Sequence, residues 1–499
     1  MDTSTKIEFT KPIDKQTFQT TISIPIDSSV NIKNLLSVDA YTYDEKLECG
    51  NAKAIYSGKI GVKILYIDTD NVTNTLSTNQ TISETFLDGA FTSDCFVITS
   101  SSVNTNVLST DGTLKLVCDV TVSPTLYVNL PMPSSVESFN NMIIKKEELN
   151  LASIKSNVQT SFEYTTNMET RDVVEKILCY NSYFIPLKIT PCENSVVIEG
   201  KIYSKIVYET NENDLHIIKE LCDVFNTKNE LTLDGCSPES MLDLCLNIDH
   251  SKTQISTENE DDENVITIQH TIVVNGIMSN MLTIETCDDV YSVENEIDVS
   301  TTNREYCSSI ETSSEECTIL GEVSVGDNEP AIDDIVANLN ACVEITKSFV
   351  KSDSLFIEGI ITSQVLYLNE NKEYSTKNAQ VPFSVDTKIP AQDATVKYVS
   401  PYILDCKVKS KRGTTIELEY NLIVLCNSYH YDNKTMIDNI IIGKPLDFSQ
   451  YDYQIFLAKP DETKWDLAKR IKISPENLEK CNKSLPDIMQ GGEKVIIKR

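Results

Sequence analysis

Glycine and proline are scarce in this chain of 499 residues, with 15 and 16 copies, and tryptophan occurs once. So little glycine and proline argues against a fibrous or low-complexity protein. The sequence has no apolar run near the ~20 residues that a membrane-spanning helix requires, and its first residues contain no apolar signal-peptide core. We therefore expect a folded cytoplasmic protein that does not insert into a membrane.

Basic residues are also few, because 43 Lys and Arg face 75 Asp and Glu and leave a net charge of −32. Such a surface repels nucleic-acid phosphates and anionic lipid heads, so neither class of partner is expected. The last 49 residues differ, with ten basic and eight acidic side chains. This change of charge predicts a separate module at 451–499.

The fifteen cysteines do not form the pattern of a disulfide framework. Their number is odd, the chain is long, and no Cys-x-x-Cys pair occurs. Cys118, Cys245 and Cys426 lie within apolar, strand-like runs. We therefore predict buried free thiols in a reducing compartment.

Sequence signatures of catalysis and of metal binding are missing. There is neither a Gly-x-x-x-x-Gly-Lys-Ser/Thr loop nor a Gly-x-Ser-x-Gly elbow. None of the histidines, His216, His250, His270 and His430, pairs with a cysteine or another histidine at ligand spacing. We predict a protein that is not an enzyme and has no catalytic, cofactor or metal site.

A block of sequence recurs three times, at 58–66, 200–208 and 359–367. Each copy begins with glycine, ends with tyrosine eight residues later and follows an apolar stretch. The glycine fits a bulge or a close backbone approach within a strand. The tyrosine fits a core aromatic residue whose hydroxyl reaches a partner.

The fold class predicted from these copies is mainly β. A long strand with period-two alternation follows each block, at 114–122, 265–274 and 416–425. One copy is too long for a solenoid unit, so we interpret it as a whole β-sandwich-like domain. The predicted boundaries are domains at 1–142, 143–286 and 318–447, with a polar linker at 287–317.

The C-terminal module predicts the order βααβ. A strand at 455–458 precedes a helix at 462–470, for which Asp461 is the expected cap. Pro475 suits the first position of a second helix, and a final strand covers 495–497. We expect Leu478 and Cys481 to point inward, and Trp465 to share the inner face of the first helix.

This module resembles the LysM family. The resemblance rests on Thr463-x-Trp465-x-Leu467-Ala468, on Asn482 after the second helix, and on Gly492-x-x-Val495-x-Ile497. The family usually has Gly-Asp-Thr-Leu where this chain has Asp461-Glu462-Thr463-Lys464. The glycine that lets an N-acetylglucosamine chain approach the backbone is therefore replaced by an acidic residue, which disfavours sugar binding.

The three-copy region is similar to the spore-coat-associated SPOCS domain, most clearly in the third copy. SPOCS domains followed by one LysM domain resemble the SipL-type spore coat morphogenetic proteins. The resemblance implies a mother-cell scaffold at the forespore surface, in the spore coat, that binds the coat-basement ATPase, stage IV sporulation protein A, through its LysM domain. The candidate partner-binding residues are Asp461, Glu462, Lys464, Trp465 and Asn482.

Alternatives remain open from the sequence. Trp465 can fill the small core of the module, line a partner groove, or do both. A peptidoglycan-binding or other glycan-binding LysM protein is the second functional hypothesis, and it requires export and an intact sugar loop. A hydrolase targeted by its LysM domain is the third, and it requires a catalytic constellation.

Overall fold

The computed structural model of the chain describes most of its length. The described residues are 8–13, 17–26, 30–89, 91–92, 95–110, 113–131, 142–212, 215–259, 264–326, 329–351, 354–390, 394–411, 414–447 and 453–498.

The described residues form a mainly β structure with twenty-two strands and two short helices. This confirms the predicted fold class. Within the same part of the chain, neither helix is long and apolar enough to cross a membrane.

The first part of the chain forms two antiparallel sheets. Its strands are β1 (Glu8–Ile13), β2 (Phe18–Pro25), β3 (Ile32–Gly50), β4 (Lys53–Asp68), β5 (Thr73–Leu87), β6 (Cys95–Thr110) and β7 (Thr113–Pro131). One sheet has the order β3-β4-β5. In the other, β7 pairs with β1, β2 and β6.

The second part also forms two sheets. Its strands are β8 (Met142–Thr170), β9 (Lys176–Cys192), β10 (Ser195–Glu212), β11 (Leu215–Thr232), β12 (Ser240–Ile248), β13 (Gln254–Asn259) and β14 (Asn264–Ser292). One sheet has the order β11-β10-β9, and in the other β14 pairs with β8, β12 and β13.

The third part has the same division into two sheets. Its strands are β15 (Asn295–Ser324), β16 (Ile332–Lys351), β17 (Ser354–Asn369), β18 (Tyr374–Pro390), β19 (Ala394–Lys411) and β20 (Thr415–Pro445). The sheets have the orders β16-β17-β18 and β15-β20-β19. In all three parts, the repeated glycine-to-tyrosine block lies on the central strand of a three-stranded sheet: β4, β10 and β17.

Each pair of sheets encloses an apolar core. The core combines side chains of β4 with those of β7 in the first part, of β10 with β14 in the second, and of β17 with β20 in the third. Alternation on these strands directs every second side chain into the core. The burial pattern of β17, which alternates between partly buried and buried along most of its length, shows this.

The segment 287–317 is not the irregular linker that its polar composition predicts. Residues up to Ser292 belong to β14, and those from Asn295 belong to β15, which pairs along its length with β20. Exposed and half-buried positions alternate from Asn295 to Glu305, with one break at the register shift between Ser300 and Thr301, as in a strand with one face against the protein. A polar strand and a polar linker have similar compositions, so composition alone was misleading.

The repeated glycine has a steric reason in two of the three copies. A Cβ at Gly200 would lie 2.6 Å from the carbonyl oxygen of Ile185, and one at Gly359 would lie 2.5 Å from that of Glu344. At Gly58 the nearest atom would be 3.4 Å away. The close approach predicted from the sequence is therefore present at Gly200 and Gly359 and is absent at Gly58.

Two apolar clusters contain side chains from all three parts, and one of them joins the three sheets that carry the repeated block. Leu65, Val207 and Leu366 each directly precede the repeated tyrosine, and all three are buried in this cluster. The strand beside each of them is irregular there, with register shifts on β3, β9 and β16. Equivalent positions of the three copies thus face each other, and we call this cluster the junction.

The last fifty residues fold in the predicted order: β21 (Tyr453–Leu457), α1 (Lys464–Ile471), α2 (Pro475–Cys481) and β22 (Lys494–Lys498). Two details differ from the prediction. Thr463, not Asp461, caps α1. Cys481, the last residue of α2, is exposed and does not point inward, whereas Leu478 is buried as expected.

All fifteen cysteines are free thiols in the structure. Cys118 and Cys426 are buried within apolar cores, and Cys245 is partly buried. Their positions on strands match the runs in which the sequence places them.

Candidate protein-binding surface of the C-terminal module

Helix α1 begins with a capping box. The Thr463 hydroxyl accepts a hydrogen bond from the Asp466 backbone N–H at 3.1 Å, and the Asp466 carboxylate accepts one from the Thr463 N–H at 3.3 Å. This reciprocal arrangement satisfies backbone donors that a helix start leaves open. It fixes the first turn of α1, and with it the direction of the Trp465 side chain.

Trp465 anchors the module to the second part of the chain. Its indole Nε1–H donates a hydrogen bond to Asp289 Oδ2 at 2.8 Å, and its ring stacks edge-on against Tyr291 at 5.2 Å between centroids. Lys469, one turn further along α1, donates to Asp289 Oδ1 at 2.6 Å. The tryptophan therefore serves an internal interface between α1 and β14.

Asp289 and Tyr291 hold this interface by charge and by burial. Burial raises the pKa of Asp289, but hydrogen bonds from Lys469 and Trp465 outweigh it and bring the pKa below its usual value. Tyr291 is fully buried, and its hydroxyl donates to the Ile473 carbonyl at 2.7 Å. The core of the module includes Tyr291 itself, so the last fifty residues do not complete their own core.

Glu462 is committed to an internal ion pair. Its carboxylate lies 2.6 Å from Arg470 Nε and accepts a hydrogen bond from the Lys459 backbone N–H at 2.9 Å. The hydrogen bond from Arg470 lowers the pKa of Glu462. Because the residue is only 8% exposed, it supports the loop before α1 and presents little surface to a partner.

Asn482 joins α2 to β22. Its side-chain amide donates to the Ile496 carbonyl at 2.7 Å and accepts from the Ile496 N–H at 2.8 Å. It also donates to the Leu478 carbonyl at 3.0 Å. All three bonds are to backbone groups of the module itself. Asn482 therefore contributes to the fold of the module.

Asp461 and Lys464 are the predicted site residues that remain nearer the surface. Asp461 is exposed and has a left-handed backbone with φ of 58°, a conformation that favours glycine and that aspartate tolerates. Lys464 lies 2.8 Å from Asp487 and 3.6 Å from Glu479. The hydrogen bond with Asp487 raises the pKa of Lys464. The five predicted residues thus do not converge on one surface.

An exposed apolar face on the two-stranded sheet is the feature that sequence reasoning missed. The side chains of this outer apolar face are Tyr453, Ile455, Leu457 and Ile496, which are 62%, 68%, 58% and 46% exposed. Ile455 pairs directly with Ile496 across the strands. The opposite face of the same strands packs into the module through Phe456, Val495 and Ile497.

Two lysines border the outer apolar face. Lys498 pairs with Tyr453, and Lys494 pairs with Leu457. The Lys498 ammonium group lies 5.8 Å from the centre of the Tyr453 ring. Contiguous apolar surface with a polar rim is typical of a protein-binding site. The signal in the sequence was that nearly every position of 453–458 is apolar or aromatic, which exceeds what one buried face requires.

Comparison with known protein families, with curated proteins and with solved structures found no match to the chain.

Proposed function

We propose that this protein is a non-enzymatic scaffold for spore coat assembly, and that it binds the coat-basement ATPase, stage IV sporulation protein A, through its C-terminal module. The observation that carries the proposal is the outer apolar face. The Ile455, Leu457 and Ile496 side chains are largely exposed to water among the described residues, and a partner that covers them gains hydrophobic energy.

The proposed architecture is three related β-sandwich domains followed by a LysM-like domain. The three pairs of sheets, each with the glycine-to-tyrosine block on a central strand, support the repeat. The βααβ order supports the LysM-like assignment. So does Asp461, because it keeps a left-handed backbone at the position where that family has glycine.

The chemistry of the face indicates the chemistry of the partner surface. An apolar strip bordered by Lys494 and Lys498 is complementary to an apolar patch with acidic residues at its edge. The proposed interface therefore lies on the outer face of β21 and β22, instead of the loop formed by Asp461, Glu462 and Lys464.

We place this scaffold in the mother-cell cytoplasm, at the forespore surface. Fifteen free thiols support a reducing compartment. The replacement of the sugar-loop glycine by Asp461 supports a protein partner over a glycan.

Binding of the full chain to the purified ATPase, measured by calorimetry, tests the proposal. Ile455→Asp places a charge on the outer apolar face without disturbing a core, because Ile455 is 68% exposed. We expect binding to weaken by roughly 30-fold or more, since burying such a side chain contributes about 2 kcal/mol. Leu87→Asp is the matched control, because Leu87 is 78% exposed at the end of β5, and it should bind like the wild type.

The same preparations should be titrated with N-acetylglucosamine oligomers. Saturable oligomer binding together with no binding to the ATPase would replace the scaffold proposal with the glycan-binding alternative. Equal affinity of wild-type and Ile455→Asp protein for the ATPase would remove the outer apolar face from the proposal.

A further inference from the structure

Three potential metal ligands meet near one end of the sheet β11-β10-β9. His216 Nδ1 lies 2.8 Å from Glu209 Oε1 and 3.1 Å from Glu175 Oε2. One ligand atom from each residue lies within 4.8 Å of the other two. The side chains of Glu209, Glu175 and His216 are 13%, 35% and 63% exposed, so the cluster is held by the protein and is open to solvent on one side.

The backbone brings these residues together from three segments. Glu175 immediately precedes β9, and its N–H donates to the Glu209 carbonyl at 2.9 Å. His216 on β11 pairs with Asn211 on β10. Because Asn211 and Glu209 are two residues apart, their side chains share a face, and His216 is a diagonal neighbour of Glu209.

Among the described residues, no lysine forms an ion pair with Glu175 or Glu209. The neighbouring Lys176 instead donates to the Thr73 carbonyl at 2.9 Å. Lys219 pairs with Asp172 and Glu212. The only ion-pair partner that the structure gives Glu175 or Glu209 among the described residues is His216. A neutral imidazole would leave two negative charges side by side, which favours a divalent cation.

We propose that Glu175, Glu209 and His216 bind a divalent transition-metal ion, with Zn²⁺ as the best fit. A tetrahedral ion with bonds of ~2.0–2.2 Å holds its ligands ~3.3–3.6 Å apart, so the distances from the His216 nitrogen to the two carboxylate oxygens need to widen by roughly 0.2–0.8 Å. The imidazole nitrogen favours Zn²⁺ over Ca²⁺ and Mg²⁺, which take oxygen ligands. Solvent would complete the coordination on the exposed side.

The ion would link the start of β9 to the hairpin of β10 and β11, close to the junction of the three parts. Lys176 contacts Thr73 of the first part, and the Ile218 N–H donates to the Tyr374 hydroxyl of the third at 3.0 Å. Metal binding should therefore raise the thermal stability of the protein, because a ligand that binds only the folded state stabilises it. The sequence did not indicate this site, because Glu175 lies on a segment distant from Glu209 and His216 and the set includes only one histidine.

The test uses the full chain without a histidine tag, after treatment with EDTA, titrated with ZnCl₂ by calorimetry. We expect one equivalent of Zn²⁺ to be lost in His216→Ala, and Glu209→Gln to weaken the same site at least ~10-fold. Glu169→Gln is the control, because Glu169 is an exposed acid on β8 outside the cluster, and it should keep wild-type stoichiometry. Circular dichroism of the metal-free proteins checks that each variant is folded.

Exposed thiols such as Cys222, Cys342 and Cys481 also attract Zn²⁺. Co²⁺ spectra distinguish the two sources, because thiolate ligands give a strong near-ultraviolet charge-transfer band that oxygen and nitrogen ligands do not. The equivalent that depends on His216 should lack that band. Wild-type protein without a histidine-dependent equivalent, or one whose spectrum shows thiolate ligation, would overturn the proposal.

Discussion

Trp465 shows how far a residue can be interpreted from sequence. Its spacing in α1 predicted a place against the core, and the structure packs it there beside Tyr291. The same position permitted an external groove. Sequence alone could not distinguish the two, because Asp289, which accepts the indole hydrogen bond, lies 176 residues away. Helical spacing is local information, whereas a contact with a strand that is distant in the sequence cannot be inferred from local spacing.

The remaining predicted site residues follow the same logic. Asn482 matched a family position, and the structure shows it bonding to β22. Glu462 was chosen for its charge, and Arg470 neutralises it. Charge and motif identify residues that matter to the module, but they do not indicate whether the side chain faces inward or outward.

Removing the Asp289 carboxylate should loosen the module. Asp289→Ala leaves the indole N–H and the Lys469 ammonium group without their acceptor, at a cost of about 1–3 kcal/mol. Trp465 is the only tryptophan, so its fluorescence should shift to longer wavelength and become easier to quench with iodide. Asp288→Ala is the control, because Asp288 pairs with Lys145 and Lys434 instead. Unchanged emission in Asp289→Ala would contradict the docked position of α1.

Stability should fall in mild acid because of His270. This residue is fully buried on β14, and burial lowers its pKa to about 4. An unfolded histidine has a pKa of about 6.5, so the unfolded state takes up a proton first, and stability present above pH 6.5 is lost as the pH falls toward 4.

The loss attributable to His270 is about 2 kcal/mol at pH 5, and urea unfolding at pH 7 and pH 5 measures it. His270→Gln removes the titrating group. Its stability should therefore change less between the two pH values, whatever its stability at pH 7. An equal change in the variant and the wild type would show that His270 does not titrate as described.

The strands themselves were largely predictable, because alternation is a property of each element. The long strands predicted at 114–122, 265–274 and 416–425 lie within β7, β14 and β20. The prediction of a linker at 287–317 was wrong. Polar residues outnumber apolar ones in this segment, but from Asn295 onward it pairs with β20 as a strand. The pairing of a strand depends on a distant segment, and no local pattern encodes it.

Replacing the glycine of the repeated block should destabilise the protein in two of the copies and have little effect in the third. Gly200→Ala and Gly359→Ala place a Cβ 2.6 Å and 2.5 Å from a carbonyl oxygen, so the strands must separate, at a cost of about 1–3 kcal/mol. Gly58→Ala meets only ordinary contacts and should be nearly neutral. Urea unfolding curves of the three variants compare them directly. A Gly58→Ala variant as destabilised as the other two would refute this steric account.

At the scale of the whole molecule, the junction joins all three parts of the chain, as does a second apolar cluster that includes Tyr127, Ile277 and Cys307. Leu65, Val207 and Leu366 occupy equivalent positions of the repeated block and share one cluster. The repeat was visible in the sequence, but its consequence was not. Equivalent residues can face each other or lie apart, and only the packing of whole sheets determines which.

Substitutions within β17 separate the junction from a domain core. Leu366 belongs to the junction and Leu355 to the core of the third part, and both are fully buried. Each change to alanine should cost about 2–5 kcal/mol. In calorimetry, Leu366→Ala should separate the unfolding of the three parts into more than one transition, whereas Leu355→Ala should lower the transition of the third part. Identical thermograms for the two variants would show that the junction does not couple the unfolding of the three parts.

Hydrogen–deuterium exchange of the full chain, alone and mixed with the purified coat-basement ATPase, tests the central claim most directly. A scaffold that binds through the outer apolar face should gain protection at Tyr453–Leu457 and Lys494–Lys498. The backbone amides of Trp465 and Asp289 should exchange as they do in the free chain, because the part-buried contact between these side chains already exists there. Protection confined to the loop at 461–464 or to the three pairs of sheets, with the two strands unchanged, would contradict the account.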